Sequence, residues 1–114
     1  MPRKAKPQDA PPSDISPLRI AGRTFAVVAL TPPPGLGTTN MGEFDNVRGV
    51  ISLDASMPDE VQRKTLLHEL VHASDRLYGS ASMTEDETVT IENGLWAIFN
   101  DNPGLARALF GDNA

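Results

Sequence analysis

A chain of 114 residues is one small domain's worth, and its net charge of −5, two histidines and absent cysteine narrow what it can do. The acidity argues against DNA or RNA as a partner, and without thiols a metal site has to be assembled from His, Asp and Glu. No apolar run approaches the roughly 20 residues of a membrane span, and the basic N-terminus has no apolar h-region behind it, so the expected location is the cytoplasm with no membrane partner.

In chain order, residues 1–17 hold five prolines and almost nothing apolar, which predicts a flexible tail ahead of a domain spanning 18–114. Two β-rich runs at 18–21 and 24–30, around Gly22-Arg23, read as a hairpin. The uncharged "TPPPGLGTTN" of residues 31–40 is a loop that either rims a site or simply connects. A second strand pair is expected at 41–44 and 49–54, turning at Asp45-Asn46.

A long helix follows, with Ser56 as N-cap, Pro58 early and Gly79 as its stop. Thr84 and Glu87 spell a capping box that opens a second helix, whose Ile91, Leu95, Ile98 and Phe99 fall at helical spacing, and a short third helix is expected near Pro103.

"TLLHELVHASDRLYG", residues 65–79, contains His-Glu-x-x-His. On a helix the i,i+4 spacing puts His68 and His72 on one face, able to converge on one zinc, with Glu69 beside them to take a proton from a zinc-activated water. With two His and six Glu in the chain, this pattern arises by chance with odds of roughly one in a thousand. Two solvated histidines on an outer face are the competing reading. At 100° per residue, Leu66, Leu70, Ala73 and Leu77 form a core stripe, widened by Leu67, Val71 and Tyr78, while His68 and His72 share the other side with Val61, Thr65 and Asp75.

The third ligand is expected from the start of the second helix. Asp86 points away from its apolar stripe, Glu87 is occupied by the capping box, and Glu85 is left as the first choice with Glu87 in reserve; both also suit a helix N-terminus without any metal. Asp75, one turn beyond His72, is expected to orient that imidazole rather than to bind metal directly. Tyr78 can be drawn as an oxyanion stabiliser, although its place beside Leu67 and Val71 favours packing in the core.

These segments, "TLLHELVHASDRLYG" and "TEDETVTIENGLWAIFNDNP", resemble small phage and prophage proteins in which "LLHEllHaiDxxYG" precedes "SEExVxxLANGLYxxLxDNP", and which are similar to minimal zinc metallopeptidases of the ImmA/IrrE type. The resemblance covers about half the chain, 42–103. It implies a minimal zincin-like α+β domain with a small antiparallel sheet packed on the His-Glu-x-x-His helix and a second covering helix. It further implies His68, His72 and Glu85 as zinc ligands and Glu69 as the catalytic base. The sequence departs from the pattern at Thr88, usually Val, and at Glu92, usually Ala.

The expected function is a zinc metallopeptidase acting on a peptide or protein in the cytoplasm, that of the host for a phage protein, with monomer as the default state. The edge of the 49–54 strand is expected to align an extended substrate. The alternative is a non-catalytic module that keeps zinc for folding, in which case Asp75 or Glu87 would close the metal's fourth position.

Overall fold

The computed structural model describes residues 15–31 and 41–112. Residues 1–14 of the expected tail and 32–40 of the expected loop lie outside them. The ordered fold starts before Leu18, because the Ser16 hydroxyl accepts the Val27 N–H at 2.9 Å.

The fold is α+β: strands β1 (Leu18–Ile20), β2 (Arg23–Leu30), β3 (Gly42–Asp45) and β4 (Val50–Asp54) precede helices α1 (Asp59–Tyr78), α2 (Glu85–Asp101) and α3 (Leu105–Phe110). β1 and β2 form the expected hairpin, but the two-residue turn is Ala21-Gly22, with φ of 51° and 77°. Positive φ at both positions matches the twist of the flanking strands, and Gly22 takes its share without a Cβ penalty.

The sheet is mixed, not antiparallel, with strand order β1-β2-β4-β3. The chain leaving β2 crosses to the far edge, lays down β3, and returns as β4 between β3 and β2; β4 therefore runs antiparallel to β3 and parallel to β2. Central β4 buries Ile51, Ser52 and Leu53, and the position expected to offer a free edge is paired on both sides. β3 is the edge strand beside the helices.

One sheet face is covered by α1. Val27, Ile51, Leu53 and Leu66 form the core, with Leu18, Ile20, Phe44 and Leu70 packed against it. This burial is the main driving force of a domain this small. The helix begins at Asp59 behind Pro58, and Ser56 is not its cap: its hydroxyl donates to Asp54 Oδ1 at 2.6 Å. Tyr78 is neither in the core nor near the histidines; it is 68% exposed, and its hydroxyl accepts the Ala21 N–H, pinning the β1–β2 turn to the end of α1. No helix among the described residues is long and apolar enough to cross a membrane.

α2 starts with the expected capping box. Its packing face differs from the expected one. Thr88 and Glu92 are the buried residues, whereas Ile91, Leu95 and Ile98 are 42, 36 and 49% exposed, Ile91 and Leu95 bordering a groove with Leu67, Leu70 and Val71 of α1. The two departures from the resembled pattern are thus the side chains that α2 turns inward.

β3 approaches α1 at Gly42, where a Cβ would stand 2.6 Å from Thr65 Cγ2 and 3.2 Å from Glu69 Oε2. Thr65 cannot turn freely, since its hydroxyl donates to the Val61 carbonyl at 2.7 Å. Gly42→Ala is expected to destabilise the fold by about 1–3 kcal/mol, read as a lower urea midpoint. The same substitution in a Thr65→Ser background, where the clashing methyl is gone, is expected to cost less.

Candidate metal centre

The i,i+4 spacing on α1 sets the two imidazoles edge to face, 4.7 Å between ring centroids and 79° between planes, with Nε2 of His68 and Nε2 of His72 3.1 Å apart. Glu85, in the first turn of α2, spans both: its Oε1 is 2.8 Å from His68 Nε2 and its Oε2 is 3.2 Å from His72 Nε2. His68, His72 and Glu85 each offer a ligand atom within 4.8 Å of the others, a group that could hold a metal ion. The Glu85 side chain is 64% exposed, so the group opens to solvent on that side.

The remaining expected residues divide clearly. Glu87 is engaged by the capping box, its Oε1 accepting the Thr84 N–H at 2.8 Å. Asp75 does not reach His72; its carboxylate accepts the N–H groups of Ser82 at 3.3 Å and Met83 at 3.1 Å, holding the α1–α2 connection in place. With its hydroxyl committed to Ala21, Tyr78 has no part in the cluster.

Sequence reasoning missed Glu92 as a site residue. Its Oε1 lies 2.7 Å from His68 Nδ1, and its Oε2 accepts from Lys64 Nζ at 2.8 Å, while the same ammonium donates to Asn93 Oδ1 at 2.6 Å. Burial raises the Glu92 carboxyl, but the bonds from Lys64 and His68 outweigh it and leave the pKa below the ordinary value. An ionised carboxylate only accepts, so the His68–Glu92 bond has Nδ1–H as donor and Nε2 turned toward Glu85. The available signal was spacing: Glu85, Thr88 and Glu92 lie at i, i+3, i+7 on one face of α2, and Lys64, His68 and His72 lie at i, i+4, i+8 on one face of α1.

Glu69 occupies the inward stripe of α1 between Leu66 and Ala73 and is only 6% exposed. Burial raises its pKa from 4.5 to about 7, opposed by His68 and reinforced by Glu85, Glu43 and Glu92. It borders two hollows on either side of the histidine pair, one of about 370 Å³ shared with Gly42, His68, Glu85 and Glu92, the other of about 240 Å³ shared with Phe44 and His72. No protein-family model, curated protein or solved structure matches the chain.

A raised carboxyl pKa means that the folded chain holds the Glu69 proton more tightly than the unfolded chain. Stability of the metal-free protein is therefore expected to fall as pH rises from 4.5 to about 7, by at most about 3 kcal/mol, and to change no further through this group above that window. Denaturant titrations across the range test this, and Glu69→Gln is expected to flatten the profile.

Proposed function

We propose that the chain is a zinc-dependent metallopeptidase of a minimal zincin-like kind, with His68, His72 and Glu85 as the metal ligands and Glu69 as general base. The observation that carries this reading is the convergence of two imidazole nitrogens and one carboxylate at separations of 2.8, 3.1 and 3.2 Å. Ligands about 2.0–2.1 Å from a tetrahedral zinc stand about 3.3–3.4 Å apart, close to what these side chains already span. Imidazole and carboxylate lone pairs this close need either a shared proton or a cation between them, and two histidines with one glutamate are a known donor set for catalytic zinc.

Bound there, zinc would lower the pKa of a coordinated water toward about 7. Glu69 borders the same hollow as His68 and Glu85, a position suited to taking the water's proton and delivering it to the leaving amine, and a bound zinc would lower its metal-free pKa of about 7. Edge strand β3 takes over the aligning role that the sequence alone suggested for β4. Gly42 borders one hollow and Phe44 the other, so an extended peptide paired with β3 would cross Glu69 and the histidines. Asp75 and Glu87, the acids able to close a purely structural site, are both bonded to backbone amides, which favours catalysis over the alternative of a zinc-stabilised binding module.

Purified protein is expected to carry one zinc per chain. Glu69→Gln should keep that zinc and lose cleavage of a mixed-sequence fluorogenic peptide library by about a hundredfold or more, whereas Glu85→Ala should lose zinc itself. Protein without stoichiometric zinc, or full cleavage by the Glu69→Gln variant, would sink the reading.

A further inference from the structure

We infer that Glu92 is a positioning residue for the metal site, fixing His68 in the tautomer that presents Nε2 to the metal, and that Lys64 acts on the site through Glu92. The inference rests on the reading of His68, His72 and Glu85 as ligands.

Glu92 uses its two oxygens for two different partners. Oε2 takes the Lys64 ammonium at 2.8 Å, and Oε1 takes His68 Nδ1–H at 2.7 Å. A carboxylate that served only to pair with Lys64 would not need the second bond, nor a buried place on the inner face of α2. Lys64 is itself held from two sides, by Glu92 and by Asn93 Oδ1 at 2.6 Å, so the ammonium is a fixed anchor rather than a wandering surface charge.

The effect on His68 follows from what stands at its other nitrogen. Glu85 Oε1 is 2.8 Å from Nε2 and would draw the ring proton onto that atom if nothing competed for it. A proton on Nε2 occupies the lone pair that a metal needs. Glu92 holds the proton on Nδ1 and, through the same bond, makes the imidazole a stronger donor. His68 and Glu92 also link α1 to α2, so the bond that sets the tautomer helps hold Glu85 over the histidines.

The test uses the full chain stripped of metal by chelation, with zinc affinity measured by competition against a chromophoric chelator. Glu92→Ala is expected to weaken zinc binding by about 10–100-fold. Glu92→Gln, whose amide oxygen still accepts from Nδ1–H, should lose less. Lys64→Met should weaken binding on its own but add nothing in the Glu92→Ala background, because the hydrogen-bonded path from Lys64 to His68 runs through Glu92.

The second readout is the His68 tautomer in the metal-free protein, from imidazole ¹⁵N shifts in alkaline buffer. It should be Nδ1–H in the wild type and shift toward Nε2–H in Glu92→Ala, a change that a merely structural role would not produce. Unaltered zinc affinity with an unaltered tautomer in Glu92→Ala would overturn the inference, as would a Lys64→Met effect that persists without Glu92. If Glu92→Ala does not fold, the wild-type tautomer and the Glu92→Gln affinity decide it: an Nε2–H wild type, or a Glu92→Gln loss beyond a hundredfold with Nδ1–H retained, contradicts it. Wild type that binds no zinc defeats the ligand reading alone, since the tautomer measurement needs no metal.

Discussion

Helices α1 and α2 meet over a buried polar contact, the Lys64–Glu92–His68 chain, and the site depends on it. Glu85 can reach both imidazoles only because α2 lies across α1 with its 85-88-92 stripe inward. Apolar packing restricts the rotation of one helix against the other less sharply than directional polar contacts do. A carboxylate that must meet both an ammonium and an imidazole fixes that rotation, and leaving the buried Glu92 carboxylate unpaired would cost about 3–5 kcal/mol. The arrangement is better at choosing one packing than at adding net stability.

A second constraint comes from the sheet. Gly42 lets β3 press against Thr65 and Glu69, which keeps the Glu69 carboxyl out of water and its pKa near neutral. The parallel β2–β4 pairing leaves β3 at the edge, so one short strand both encloses the proposed base and carries the backbone groups proposed to align a substrate. A carboxyl kept from solvent among other carboxyls lowers the stability of the metal-free fold, and that cost accompanies the protonation behaviour a general base needs.

Local patterns were legible in the sequence and long-range choices were not. The i,i+4 histidines, the Thr84 capping box, the stop at Gly79 and the β1–β2 hairpin all follow from spacings of a few residues, and the structure agrees with each; of the three acids at the start of α2, Glu85 is the one that lies against both histidines. The mixed sheet depends on where β3 lies relative to β2, which no short-range signal encodes. The rotation of α2 was misread in part: Ile91 and Leu95, the more obvious stripe, border a groove with α1 but stay partly exposed, while Thr88 and Glu92 beside them are the buried positions. Ser56, Asp75 and Tyr78 each found a hydrogen-bond partner that outcompeted the expected role: Asp54, the Ser82 and Met83 amides, and the Ala21 amide.

Central to the account is a metal held by three protein side chains with a position left for solvent or substrate. X-ray absorption at the zinc edge of the loaded protein measures this directly. The account predicts a first shell of two imidazole nitrogens and one carboxylate with solvent oxygen completing it, the imidazole signal being lost in a His68→Ala, His72→Ala double variant. A shell closed by four protein ligands, or one without imidazole, would contradict it.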